Sequence, residues 1–144
     1  MLVQHILKSK SDDGVVTISS TATVSDAAQI LSKRRIGAVV VSEDGESVRG
    51  ILSERDILRE LGRRGPDCLS DTVAQLMTAD PRVCAPDDTA DTVLTHMTEG
   101  RFRHMPVLVD GRMIGLISIG DVVKARLSEL SMERDALEGM VMGR

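Results

Sequence analysis

The chain has 144 residues, 42% hydrophobic and 28% charged, with 18 Lys and Arg against 22 Asp and Glu. That length suits one ordinary domain or two half-sized units, and a formal charge of -4 makes nucleic acid a poor default partner. Trp and Tyr are absent and Phe102 is the one aromatic residue. Single-stranded bases therefore have no stacking platform, and the core must be aliphatic.

The chain opens with Val3, Ile6 and Leu7 at helical spacing. This run is too interrupted for a signal peptide and too short to span a bilayer, so a cytoplasmic protein with no membrane partner is expected. A short strand at about Val15–Ile18 comes next. A helix near Ser25–Arg34 follows, with Val24, Ala27, Ala28 and Leu31 at i, i+3, i+4, i+7. Strands at Ala38–Ser42 and Ser47–Leu52 flank Glu43-Asp44-Gly45-Glu46, and a second helix begins at about Arg55. The stretch from Gly62 to Asp67, with Gly65 and Pro66, reads as the end of the first unit and a link to the next.

The same order then returns. Val73, Leu76 and Met77 repeat the opening pattern at an offset of 70 positions. A strand at Arg82–Ala85 leads to a helix at Thr89–Glu99, whose Ala90, Val93, Leu94 and Met97 repeat the earlier helical face at an offset of 66. Strands at Met105–Val109 and Met113–Ile117 enclose Asp110-Gly111-Arg112, where Asp-Gly is a strong hairpin signal. A closing helix starts at about Gly120, and a tail helix covers about Leu127–Val141. With Leu130, Met132, Leu137 and Met140, that tail fits a dimer contact or an internal packing strip equally well. The repeat divides the chain into 1–68 and 69–144. The expected fold is α/β (α+β): tandem βαββα units packed sheet to sheet about a pseudo-two-fold axis, sharing one core and leaving clefts between them.

Each unit ends in Gly-apolar-apolar-Ser-x-x-Asp, from Gly50 to Asp56 and again from Gly115 to Asp121. Ser at the N-cap with Asp at N3 approximates a capping box, and for one copy capping is a sufficient explanation. Thr23-x-x-Asp26 shows how readily the pattern arises. Two copies at matching points admit a second reading. The amides of a helix start and the Ser hydroxyl suit a phosphate, and the carboxylate can accept from both hydroxyls of a ribose. Arg55 adds a cation in the first copy, where the second has Ile119-Gly120, so the two sites should be unequal.

The segments Val24-x-x-Ala27-Ala28, Arg35 to Val41 and Gly50 to Asp56, with Phe102 to Leu108 and Gly115 to Asp121, carry a family likeness. Over roughly Val3 to Leu127 the chain resembles a CBS-domain pair, or Bateman module, of the small stand-alone bacterial kind. That resemblance implies an adenosine-containing ligand (AMP, ADP, ATP, NAD or S-adenosylmethionine) lying between the repeats. The Asp would hold ribose, the Ser would face phosphate, and the backbone of the first strand and the Gly-Ala segment would read the base. Carried over residue by residue, one site takes Val16, Thr17, Ile36, Gly37, Ala38, Ser53, Arg55 and Asp56. The other takes Arg82, Val83, Arg103, His104, Met105, Pro106, Ser118 and Asp121. Lys8 and Lys10 are further phosphate candidates, and His104 fits a dimer interface or a partly exposed strand start as well as a phosphate.

The resemblance implies a regulatory homodimer with an unidentified regulated protein, without catalytic residues, catalytic cofactor or metal. The residues themselves offer no Walker loop, nucleophile elbow or paired metal ligands. Cys68 and Cys84 form no CxxC pair and read as reduced thiols. The competing reading is a ligand-independent dimerisation or protein-interaction scaffold in which both Ser-x-x-Asp motifs only cap helices.

Overall fold

A computed structural model describes residues 1–10 and 14–143. In chain order the elements are α1 (Val3–Ser9), β1 (Thr17–Ile18), α2 (Val24–Arg34), β2 (Ala38–Val41), β3 (Gly50–Ser53) and α3 (Glu54–Arg64). A 3-10 turn (Pro66–Ser70), α4 (Val73–Leu76) and β4 (Thr78–Ala79) lead to α5 (Ala90–Gly100), β5 (His104–Val109), β6 (Arg112–Ser118) and α6 (Ile119–Val141). One sheet has the order β1-β2-β3-β4, with β1 parallel to β2 and the other pairs antiparallel; β5 and β6 form a second, antiparallel sheet.

The repeat is visible in backbone detail. Thr23 and Thr89 cap α2 and α5, each accepting from an amide three residues on. Both helices end on an arginine in the left-handed region, Arg35 at φ 55° and Arg101 at φ 56°. The first amide of each closing helix then reaches back to the chain just before a strand: Glu54 N donates to the Gly37 carbonyl at 2.9 Å, and Ile119 N to the Arg103 carbonyl at 2.8 Å. These bonds hold each Ser-x-x-Asp helix start beside the mouth of β2 or β5.

Strand alternation distributes the apolar residues. Val39, Val41 and Leu52 pack against α2 and α3 in one cluster, while Met105, Val107 and Ile117 pack against α5 and α6 in another. Ala38, Val40 and Ile51 are buried on the opposite face of the first sheet, toward the second unit. The structure thus has two cores where one shared core was expected. The reason is an exchange at the start of each repeat. Val3 and Ile6 of α1 join the core of the second unit, and Val73 of α4 joins the core of the first, where β4 also pairs with β3. Each unit's open face is therefore covered by a helix that lies in the other half of the sequence. The division 1–68 and 69–144 follows the chain; the packing assigns residues 1–10 to the second body.

Two further expectations are corrected. The strand at Arg82–Ala85 is reduced to a single bridge between Cys84 and Val107. Pro81 and Pro86 bracket it, and prolines supply no amide to extend a ladder. Within the stretch Gly62–Asp67, α3 runs to Arg64 and stops at Gly65, with φ 78°, followed by Pro66. The closing and tail helices of the second unit are one helix, since nothing between Gly120 and Val141 interrupts it. Both cysteines are free and buried. Among the described residues no helix is long and apolar enough to cross a membrane.

Candidate functional site

Both Ser-x-x-Asp motifs form complete capping boxes. Asp56 N donates to Ser53 Oγ at 3.2 Å and Ser53 N to Asp56 Oδ2 at 2.9 Å. In the second copy Asp121 N donates to Ser118 Oγ at 3.1 Å and Ser118 N to Asp121 Oδ2 at 2.9 Å. Capping occupies one oxygen of each carboxylate. The other oxygen of Asp56 meets only Arg59 Nη1 at 3.3 Å, and that of Asp121 accepts no hydrogen bond among the described residues. Among the described residues only the second motif keeps an oxygen that accepts no hydrogen bond.

The first cleft has a volume of about 910 Å³. Val15 and Val16, with the Ile36-Gly37-Ala38 segment, form one part of it. Opposite stand Ile114, Gly115, Leu116 and Ser118 of β6 and His104, with Gln4, Leu7 and Lys8 of α1 and Lys10 just beyond it, since Leu7 packs on Gly115 and Lys10 bonds the Leu116 carbonyl. Lys10 Nζ donates to the Leu116 carbonyl and to Asp121 Oδ2, both at 2.8 Å. Burial pushes the Asp121 carboxyl up, but the Lys10 ammonium and the Ser118 amide outweigh it and hold the group below its ordinary value. Asp121 is therefore an anion beside an apolar cleft with two lysines at its rim.

The second cleft, at about 290 Å³, is a third of that size and differs in chemistry. Arg55, Arg59, Arg82, Arg101 and Arg103 line it against Glu54 and Asp56, so five guanidiniums face two carboxylates. Gly37 and His104 belong to both clefts. A Cβ on Gly37 would lie 3.3 Å from the imidazole, so glycine lets the two units meet there. Burial, then the charge of Lys10, lowers the His104 pKa, leaving a neutral imidazole in the partition between the clefts.

The expected residues come together in a different grouping. Sequence reasoning kept each motif with the strand of its own repeat, whereas the clefts are crossed. Val16, Ile36, Gly37 and Ala38 of the first repeat face Ser118, His104, Lys8 and Lys10, with Asp121 joined through Lys10. Ser53, Arg55 and Asp56 face Arg82, Arg103 and His104. Thr17, Val83, Met105, Pro106 and Asp121 line neither cleft, Asp121 standing behind Ser118 and Lys10 at the edge of the first. Met105 is wholly buried in the second core, Pro106 is buried within β5, and Val83 is 41% exposed. Leu7, Ile114, Arg59, Arg101 and Phe102 are lining residues that the motifs did not flag. Leu116 had a signal, since it is one of the apolar pair within the second motif.

A duplicated βαββα frame, with each cleft built from the helix start of one unit and the strand mouth of the other, defines a tandem-repeat module with two unequal clefts between its repeats. The chain belongs to the CBS-domain family, whose CBS domain matches residues 7–63 and again 73–128. It is similar to a mitochondrial CBS-domain-containing protein of Arabidopsis thaliana, CBSX3, at 36% identity over 98% of this chain and 72% of that protein. It spans only 23% and 19% of two longer relatives from Arabidopsis and fission yeast. Among solved structures, a CBS-domain protein from Agrobacterium tumefaciens is 41% identical with a TM-score of 0.82, over 88% of this chain and 99% of that one. One from Pyrobaculum aerophilum, complexed with AMP, is 25% identical with a TM-score of 0.77, over 92% and 99%.

Proposed function

We propose that the protein is a regulatory module that senses an adenosine-containing ligand in the first cleft. The observation that carries this reading is the composition of that cleft. An apolar cavity of about 910 Å³ falls in the range of small-molecule sites. It ends at the Ser118 cap of α6 and two lysines, and Lys10 is bonded to the Asp121 carboxylate just beyond the lining. The ribose diol donates to Asp121, with the spare Oδ1 as its first acceptor. Phosphate takes Lys8 and Lys10, beside the positive end of the α6 dipole. Adenine lies between aliphatic side chains such as Val16 and Ile36, with main-chain groups near Gly37 and Ala38 reading its edge. AMP in the Pyrobaculum relative supports this ligand class; AMP, ATP, NAD and S-adenosylmethionine are the candidates.

The second cleft is too small and too cationic to be an equivalent site, so it favours the phosphate-rich part of a ligand and fills separately. Lys10 makes the sensing step. It bonds Asp121 and the Leu116 carbonyl, and a ligand that recruits it to phosphate shifts the seam between the units. Such a ligand moves an equilibrium only by its differential affinity for the two arrangements, and the readout is a regulated protein partner rather than turnover. The cytoplasm is the expected compartment.

One observation favours a second reading. Both motifs are complete capping boxes whose Ser and Asp already satisfy each other, as a protein-interaction scaffold would also require. Isothermal calorimetry on ligand-stripped protein with AMP, ATP, NAD and S-adenosylmethionine separates the two. Saturable binding of one candidate is expected. No heat from any of them at millimolar concentration leaves the scaffold.

A further inference from the structure

The two clefts share a wall. Gly37 and His104 line both, and the Cε1–Nε2 edge of the imidazole lies 3.3 Å from where a Cβ on Gly37 would stand. Glu54 reaches the same spot from the second cleft, with its Oε1 3.7 Å from that position. Arg103, the residue before His104, opens on the same side. On the first-cleft side the charges of Lys10 and Asp121, themselves paired at 2.8 Å, act on the ring. The other charged groups of the two walls are Lys8 in the first cleft and Arg55, Asp56, Arg59, Arg82 and Arg101 in the second.

These surroundings oppose one another. Burial does most to keep a proton off the ring, and Lys10 and Arg103 help it; Asp121 and Glu54 favour the imidazolium. A phosphate in the first cleft changes two of these influences together. It sets negative charge beside the ring, and it draws Lys10 from Asp121, leaving a carboxylate that a proton on His104 compensates. A phosphate among the five arginines of the second cleft offsets Arg103 and adds negative charge from the other side. Because one ring belongs to both walls, a proton taken up for one anion is a cation facing the other.

We propose that His104 couples the two clefts: an anion in either one draws a proton onto the shared imidazole, and the imidazolium then tightens the hold on an anion in the other. This coupling rests on the first cleft taking a phosphate-bearing ligand, as proposed above, and adds a pH-dependent link to the second. By linkage each anion strengthens the other by the same factor, and the effect fades above the range in which an imidazole takes a proton.

Proton NMR of the three histidines of the full chain, with His104→Gln marking the His104 signal, reads the protonation midpoint directly. AMP is the probe for the first cleft and inorganic pyrophosphate for the second. Either one at saturation should raise the His104 midpoint by about one pH unit, as an opposite charge within a few ångströms does. Calorimetry then reads the coupling. At about pH 6 pyrophosphate should tighten AMP binding roughly five-fold, and at about pH 9 it should not. Comparing affinities with and without pyrophosphate at one pH cancels the titration of the AMP phosphate itself. In His104→Gln the tightening should vanish at both. If AMP binds at no pH the adenosine reading falls, and inorganic phosphate takes its place as the first-cleft probe in the same measurements. A His104 midpoint unmoved by either bound anion would overturn the coupling. So would pyrophosphate that fails to bind, that weakens the first-cleft probe, or that tightens it equally in His104→Gln.

Discussion

Asp121→Asn separates the capping role of this residue from its proposed ribose role. Asp121 Oδ2 accepts from Ser118 N at 2.9 Å and from Lys10 Nζ at 2.8 Å. Asparagine keeps one carbonyl oxygen, enough for the Ser118 amide, so the helix start survives. The Lys10 pair is lost, but Lys10 is 36% exposed and Asp121 23%. For so solvated a pair the stability loss is about 1 kcal/mol or less. Binding should suffer more. The oxygen available to the ribose becomes an amino group, and a donor then faces a donor. Losing a hydrogen bond to a charged acceptor costs about 1.5–3 kcal/mol, which is roughly a 10- to 150-fold rise in Kd. Calorimetric titration beside thermal melts gives both numbers from one preparation. Asp56→Asn is the control, since that carboxylate lines the other cleft, and it should leave the main affinity unchanged. If Asp121→Asn binds as tightly as the native chain while its melt falls, the residue is only a cap and the site assignment fails.

Two further outcomes follow from the packing and the seam. Ile6→Ala removes a side chain that is 2% exposed within the second core, which should cost about 2–5 kcal/mol. Hydrogen exchange should speed up at Met105, Val107 and Ile117 before Val39 and Val41; the opposite order would refute the exchange of leading helices. His104 is held below the usual histidine value near 6.5 in the fold. The unfolded chain therefore binds the proton first, so stability is full above about 6.5 and falls as pH drops toward the folded value. His104→Gln should flatten that part of a pH–melting profile, and an unaltered slope would mean the imidazole is not buried in the seam.

Much of this architecture is legible in the residues because it rests on local rules. Apolar periodicity places α2 and α5 to within a residue or two. Asp110-Gly111 marks the β5–β6 hairpin, with both residues at positive φ, and the Ser-x-x-Asp endings mark the starts of α3 and α6. What the sequence hides is long-range. An internal repeat aligns Val16 with Arg82 and Ser53 with Ser118, but alignment cannot say which strand mouth faces which helix start. That choice follows from α1 crossing to the second core and α4 to the first, a matter of tertiary packing without a local signature. The strand expected at Arg82–Ala85 shrinks to one bridge for a local reason, the flanking Pro81 and Pro86. Arg59 and Arg101 entered the second cleft unannounced because exposed arginines on helices ordinarily signify nothing but solubility.

The central claim is that the nucleotide cleft is crossed, built from the first strand of one repeat and the helix start of the other. Amide shifts of the isotopically labelled native chain during an AMP titration test it directly. Val16 and Ser118 should move along a single isotherm, with Ser53 and Asp56 unmoved at the same concentrations. If Val16 instead moves with Ser53 and Asp56 while Ser118 stays still, the site belongs to one repeat alone and the account is wrong.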